Sequence, residues 1–145
     1  MINRELYMEQ ITPFIDKPFV KVITGIRRCG KSVVLRLIRE ELLRRGVSED
    51  HIIYMNFESF EWMDVKEAKA LYTYIREVTK VSGKYYILLD EIQEVTDWEK
   101  AVNAFLVDLD ADIYVTGSNS RLLSSEFSTY LALSLIHISE PTRRS

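Results

Sequence analysis

Residues 25–32 read Gly25-Ile26-Arg27-Arg28-Cys29-Gly30-Lys31-Ser32. Two glycines separated by four residues and followed directly by lysine and serine match the phosphate-binding loop pattern. Glycines let backbone N–H groups wrap phosphate oxygens, Lys31 neutralises the β and γ oxygens, and the Ser32 hydroxyl can ligate Mg²⁺. The stretch therefore predicts a nucleotide-phosphate site, and a chance glycine turn is the alternative.

The neighbours of this loop supply the context that it requires. A β-rich run at residues 19–24 precedes it, and an amphipathic helical pattern follows at residues 31–45. A loop between a strand and a helix is where this motif binds phosphate, because the positive helix N-terminus adds to the anion site.

Further strands are predicted at residues 52–57, 85–89 and 113–116, with helices between them. Two of these helices carry capping-box patterns at their starts, Asp64 with Glu67 and Thr96 with Glu99. Strands that alternate with helices predict an α/β fold in three layers, with a parallel sheet covered on both faces. Ligands in such sheets bind beyond the carboxyl ends of the strands.

Two adjacent carboxylates, Asp90 and Glu91, follow the apolar run at residues 85–89. Their mutual repulsion is a cost that a purely structural turn would avoid. We expect Asp90 to hold Mg²⁺, directly or through water, and Glu91 to polarise an attacking water. A solvated acidic turn after a core strand is the alternative.

The fourth strand is followed by a polar segment, Thr116-Gly117-Ser118-Asn119. A side chain there is placed to orient the lytic water or to contact the γ-phosphate, and we favour Asn119 over Ser118. Glycine, serine and asparagine are also ordinary turn residues, so a hydrogen-bonded turn is the alternative.

Together these segments resemble the AAA-type P-loop ATPase domain of a large group of prokaryotic ATP-binding proteins. The resemblance covers residues 3–132 and depends on the loop at 25–32, on Leu89-Asp-Glu-Ile-Gln93 followed by Trp98, and on Val115-Thr-Gly-Ser-Asn-Ser120. It implies a Walker A loop, a Walker B strand, a sensor-1 position near Asn119 and a sheet ordered 5-1-4-3-2.

The resemblance also implies Mg²⁺-dependent ATP binding and hydrolysis, with ATP and Mg²⁺ as cofactors. The implied catalytic residues are Glu91, Lys31 and Asn119, and the implied metal ligands are Ser32 and Asp90. The nucleotide contacts fall on Gly25, Arg28, Cys29, Gly30, Lys31, Ser32 and Val33.

Composition limits the expected location of the protein but does not identify a binding partner. The 145 residues carry a net charge of -3, which gives no field that attracts nucleic acid, although binding to it stays open. Cys29 is the only cysteine, and no apolar run approaches a membrane span. We expect a cytoplasmic protein without membrane contact, and a homo-oligomer of the intact protein stays open.

The resemblance breaks at residue 133. Residues 133–143 read Leu-Ser-Leu-Ile-His-Ile-Ser-Glu-Pro-Thr-Arg and resemble the translation of the transposon-end adapter used in preparing sequencing libraries. We therefore expect residues 1–132 to be the N-terminal part of the ATPase domain and 133–145 a non-native tail. The fifth strand and the sensor-2 region are then absent, and the strand at 19–24 is an unprotected edge. A genuine C-terminal segment with a β-like run at 133–138 is the alternative.

Four functions remain in competition. The leading one is an ATPase that drives an unknown partner activity, and the second is a nucleotide-dependent switch with little turnover. A small-molecule P-loop kinase is disfavoured, because paired carboxylates suit water activation better than transfer to an acceptor. For the chain alone, an inactive fragment is the fourth.

Overall fold

The computed structural model describes residues 4–17, 20–24, 30–117 and 133–137. Its helices and strands alternate along the chain, and no helix within these ranges is long and apolar enough to cross a membrane. The helices are α1 (Arg4–Ile11), α2 (Gly30–Arg44), α3 (Ala68–Val78) and α4 (Trp98–Asp108). The strands are β1 (Val20–Thr24), β2 (Ile52–Asn56), β3 (Tyr85–Asp90), β4 (Ala111–Thr116) and β5 (Leu133–His137). Short 3₁₀ turns lie at Thr12–Phe14, Glu49–His51, Phe60–Trp62 and Ile92–Glu94.

The strands form one sheet in the order β2-β3-β4-β1-β5, and every neighbouring pair is parallel. The α/β fold class is therefore confirmed. β4 lies between β1 and β3, which is the arrangement that the family resemblance implies. The two strands expected to carry the phosphate loop and the acidic pair are thus separated by one strand.

The expectation that β1 is an open edge of the sheet is wrong. β5 pairs with β1 over five residues, from Val20 opposite Leu133 to Thr24 opposite His137. All five residues of β1 are buried, so its second row of backbone N–H and C=O groups needs partners. The β-like run at 133–138 supplies them. The assignment of residues 133–145 to a non-native tail stays a prediction.

Two apolar cores, one on each face of the sheet, account for the three layers. On one face Ile87, Leu89 and Val115 belong to a core that includes residues of α3 and α4. On the other face Leu88 and Tyr114 belong to a core that includes residues of α1 and α2. Successive strand residues point to opposite faces, which is why a wholly apolar strand such as β3 is buried throughout.

The predicted capping boxes do not form. α3 begins after Glu67, and α4 begins after Asp97, without a side-chain cap bond at either position. Instead the two entry segments pair with each other: the Thr96 N–H donates to the Lys66 carbonyl at 2.8 Å, and the Ala68 N–H donates to the Thr96 carbonyl at 2.9 Å. This pairing engages both backbone groups of Thr96, so the tertiary contact overrides the local capping pattern.

The amino-terminal edge of the sheet holds a buried charge pair. Lys21 in β1 is fully buried and forms an ion pair with Asp112 in β4. Burial lowers the pKa of Lys21, and the hydrogen bond to Asp112 opposes that shift. Asp112 also accepts hydrogen bonds from the Asp16 N–H at 2.9 Å and the Tyr114 hydroxyl at 2.6 Å. The pair therefore joins β1, β4 and the segment after α1, at the edge opposite the candidate site.

Candidate functional site

The site lies at the carboxyl edge of the sheet. β3 ends at Asp90 and β4 ends at Thr116, and these strands are adjacent and parallel. α2 begins at Gly30 and so includes the last three residues of the predicted phosphate loop. The carboxyl ends of parallel strands meet at the same edge, so the acidic pair and the start of α2 come together as the sequence predicts.

Asp90 is the centre of the site. It is fully buried, and its Oδ2 accepts a hydrogen bond from the Ser32 hydroxyl at 2.5 Å. Its Oδ1 accepts one from the Thr116 hydroxyl at 2.6 Å. The two residues predicted as metal ligands, 58 positions apart in the chain, are therefore in direct contact.

The donor set has the chemistry that Mg²⁺ prefers. Ser32 donates its hydroxyl hydrogen to Asp90, which leaves the oxygen lone pairs of Ser32 free to face a cation. Hydroxyl and carboxylate oxygens are hard ligands, and Mg²⁺ is usually held by one or two of them with phosphate and water completing its shell. Within the described ranges no group of three or more His, Cys, Asp and Glu side chains could hold a metal. The Ser32 hydroxyl and the Asp90 carboxylate therefore fit a Mg²⁺ ion whose remaining ligands are phosphate and water.

Glu91 has an unusual backbone. Its φ of 58° and ψ of 52° place it in the left-handed region, which costs a non-glycine residue free energy and is concentrated at functional sites. Its N–H donates to the Thr116 hydroxyl oxygen at 3.0 Å, which supports this conformation. Its carboxylate accepts a hydrogen bond from the Gln93 side-chain amide at 2.8 Å. The Oε1 atom of Gln93 is buried and has no hydrogen-bond partner among the residues that the structure describes.

Sequence reasoning did not nominate two residues that the structure places at Asp90. Thr116 belongs to the polar segment at residues 116–119, in which the sequence favours Asn119. Tyr54, in β2, donates its hydroxyl hydrogen to Asp90 Oδ2 at 3.0 Å. Burial, together with the Asp90 charge and hydrogen bond, raises the pKa of Tyr54 to about 12, so the phenol stays a donor at neutral pH. No sequence motif indicates this contact, since it depends on how β2 is aligned with β3 in the sheet.

Several predicted site residues fall outside the described part of the chain. These are Gly25, Arg28, Cys29 and Asn119, together with the side chain of Lys31. The backbones of Gly30 and Lys31 are in the first turn of α2. Val33 follows in the same helix, where it packs against the core formed with α1. The roles assigned to all of these residues stay predictions.

Comparisons with known proteins agree with this architecture. A family model described as an AAA domain matches residues 17–139. An uncharacterized protein from Haemophilus influenzae is 47% identical over 133 residues, which is 91% of this chain and 33% of that protein. An uncharacterized protein from Methanocaldococcus jannaschii is 33% identical over 131 residues, which is 90% of this chain and 27% of that protein. The chain thus spans a third or less of the length of these relatives.

Among solved structures, a DNA polymerase III gamma subunit-related protein from Thermotoga maritima has a similar fold. The TM-score is 0.62 at 11% sequence identity, and the match covers 90% of this chain and 45% of that chain. At this identity the likeness concerns the fold alone. It matches the parallel sheet and the helical layers described above.

Proposed function

Since the chain belongs to the AAA domain family and is a nucleotide-binding P-loop module, we propose that it binds ATP with Mg²⁺ and serves the longer protein as its ATPase. The observation that supports this most directly is the hydrogen bond from Ser32 to Asp90. It joins the helix that follows the phosphate loop to the strand that carries the acidic pair. A nucleotide site of this class needs these two groups within reach of one cation.

In this proposal the loop at 25–32 and the N-terminus of α2 hold the phosphates. Lys31 balances the charge of the β and γ oxygens, and Ser32 offers its oxygen to the metal while Asp90 accepts the Ser32 hydrogen. When bound, Mg²⁺ neutralises charge that develops on the phosphate oxygens. Thr116 fixes the second oxygen of Asp90, so the carboxylate is oriented before nucleotide arrives.

Glu91 is the proposed general base. Its carboxylate would accept a proton from the attacking water, and Asn119 would orient that water or the γ-phosphate. The hydrogen bond from Gln93 restrains the carboxylate of Glu91, so Gln93 must release or share it during turnover. This restraint also favours the second candidate, a nucleotide-dependent switch with little hydrolysis.

The wider assignments are also proposals. We propose a cytoplasmic location on the strength of the single cysteine. A homo-oligomeric assembly of the longer protein would be consistent with the family, and the mixed surface charge does not indicate nucleic acid as a partner.

The first prediction tests the roles of Glu91 and Ser32. Replacing Glu91→Gln is expected to leave nucleotide binding intact and to lower hydrolysis by at least about a hundredfold, because general-base catalysis contributes that much. Ser32→Ala is expected to weaken binding in Mg²⁺. Binding is measured by thermal stabilisation with ATP, which at a hundredfold excess over Kd adds about 2.7 kcal/mol to the free energy of unfolding. Hydrolysis is measured by release of labelled phosphate.

Glu94→Gln, three residues further along, is the matched control and should leave both measurements unchanged. If ATP stabilises the chain but hydrolysis is absent or unaffected by Glu91→Gln, the switch is the better description. If ATP with Mg²⁺ does not stabilise the chain at all, the proposed function is wrong.

A further inference from the structure

The carboxylate of Asp90 receives a hydrogen bond from an edge strand as well as from the helix and the neighbouring strand. This bond comes from the Tyr54 hydroxyl, 3.0 Å from Asp90 Oδ2. We propose that Tyr54 is a positioning residue that sets the orientation of Asp90 for the metal that accompanies the nucleotide. The inference rests on the proposed function and adds a residue to it.

The register of the sheet explains how Tyr54 reaches this position. Asn56 in β2 lies opposite Asp90, and Tyr54 lies opposite Leu88 two residues earlier. Tyr54 shares a sheet face with Ile52, which belongs to the core formed with α1 and α2. From that face a long side chain can extend along the strand towards the start of α2, where Ser32 lies.

The hydrogen bonds divide the two oxygens of Asp90 between different elements. Oδ1 is held by Thr116 at 2.6 Å, and Oδ2 is shared by Ser32 at 2.5 Å and Tyr54 at 3.0 Å. Thr116 and Tyr54 both belong to strands, one on each side of β3. Hydrogen bonds from the two neighbouring strands therefore fix the orientation of the Asp90 carboxylate. Ser32 in α2 then donates to a carboxylate that the sheet already holds in position.

Because Tyr54 is partly exposed, the contribution of its hydroxyl can be tested separately from the packing of its ring. The residue is 37% exposed, whereas the carboxylate that it contacts is fully buried. A phenylalanine would retain the packing of the ring and lose only the hydrogen bond. Tyr54→Phe is thus a clean probe of the hydroxyl, and a purely structural tyrosine would be indifferent to Mg²⁺.

The test measures the Mg²⁺ dependence of nucleotide binding in the 145-residue chain. A fluorescent ATP analogue is bound without Mg²⁺, and Mg²⁺ is then titrated while the fluorescence reports the affinity. For Tyr54→Phe we expect the Mg²⁺ concentration at half effect to rise roughly tenfold, which is the lower end for loss of a group that orients a metal ligand. Affinity without Mg²⁺ should stay unchanged, and Tm should fall less than it does in Tyr54→Leu.

Two control variants distinguish loss of the Tyr54 hydroxyl from the general effect of removing a tyrosine hydroxyl or ring. Tyr72→Phe removes a hydroxyl that donates to Asp108 at 2.7 Å on the surface between α3 and α4, and it should leave the Mg²⁺ titration unchanged. Tyr54→Leu removes the ring as well, so it should lower Tm but shift the Mg²⁺ titration no further than Tyr54→Phe does.

Asp90→Asn distinguishes failure of this inference from failure of the proposed function. If Asp90→Asn abolishes the Mg²⁺ effect while Tyr54→Phe leaves it unchanged, Tyr54 is not a positioning residue and the proposed function stands. If the unaltered chain shows no Mg²⁺ effect, both are wrong. A Mg²⁺ shift in Tyr54→Phe that is matched by Tyr72→Phe also overturns the inference.

Discussion

The Thr116 hydroxyl forms hydrogen bonds with both residues of the acidic pair. Its hydrogen goes to Asp90 Oδ1 at 2.6 Å, and its oxygen accepts the Glu91 N–H at 3.0 Å. The side chain is fully buried, so no water replaces either bond. This residue holds the acidic pair together and supports the left-handed backbone of Glu91.

Thr116→Val is expected to lower the free energy of unfolding by about 1–3 kcal/mol, because it leaves a buried acceptor and an N–H without partners in an otherwise similar shape. Thr116→Ser keeps the hydroxyl and should recover most of that loss. Urea unfolding followed by circular dichroism measures both variants. If Thr116→Ser loses as much stability as Thr116→Val, the hydroxyl alone does not account for the contribution of Thr116.

Residues in the site differ in how far sequence could predict them. Ser32, Asp90 and Glu91 stand in local motifs, so their positions follow from spacing. Tyr54 is one member of an apolar β run, and its role depends on Asp90, which lies 36 positions away in the sequence. The burial of Lys21 could not be predicted either. Its partner Asp112 is 91 positions away, and no local sequence pattern indicates a buried charge.

At the scale of elements, α2 ends in a small charge cluster. Glu41 accepts hydrogen bonds from Arg44 at 2.6 Å and from Arg45 at 2.8 Å. These bonds lower the pKa of Glu41 from its ordinary 4.5 to about 2. Positive side chains near a helix C-terminus also interact favourably with the helix dipole. The cluster therefore favours the ionised form of Glu41 in the folded chain.

A carboxyl whose pKa is lowered on folding adds stability above its unfolded pKa and loses it as pH falls through the folded pKa. The contribution of Glu41 should thus be constant above about pH 5 and should disappear between pH 4.5 and pH 2. Because both arginines are exposed to solvent, it should not exceed about 1 kcal/mol.

Unfolding of the chain and of Glu41→Gln at a series of pH values measures this contribution as the difference between the two. Glu77→Gln, at an exposed pair with Lys80, is the control. A difference that grows below pH 4.5 would contradict the assignment.

The boundaries of the strands could be predicted from local sequence patterns, whereas the starts of two helices could not. The strands at residues 19–24 and 85–89 were predicted within one residue of β1 and β3, since apolar runs between turn residues suffice there. The starts of α3 and α4 were predicted too early, because the pairing of Thr96 with Lys66 and Ala68 replaces the capping boxes. Tertiary contacts between segments about thirty residues apart cannot be read from a four-residue pattern.

For the whole molecule, the sheet order 1-4-3-2 was available only through the family resemblance. Alternation of strands and helices predicts a parallel sheet but not which strands are neighbours. The position of β5 does not follow from the sequence analysis, because residues 133–143 resemble a foreign peptide. A buried strand with an unpaired side accepts a suitable apolar run, which is why the pattern at 133–138 proved relevant.

Truncation after Ala132 tests the contribution of β5. Five residue pairs with β1 are lost. With about one backbone hydrogen bond for each pair, at about 1 kcal/mol each, we expect Tm to fall by roughly 15 °C. Exposure of the β1 edge should also raise light scattering on heating. A truncation after Ile138 keeps β5 and serves as the matched control. If both truncations behave alike, β5 does not stabilise β1.

The position of β1 between β4 and β5 has a consequence for synthesis on the ribosome. β2, β3 and β4 can pair as soon as each emerges, because they are neighbours in the order of translation. β1 emerges first but has no sheet partner until β4 is made, and its other side waits for residues 133–137. Chains dominated by such distant pairings fold slowly and expose apolar surface meanwhile. The nascent chain therefore carries its phosphate-loop strand unpaired until residues 111–116 have emerged, and that is the interval in which a chaperone would have most to protect.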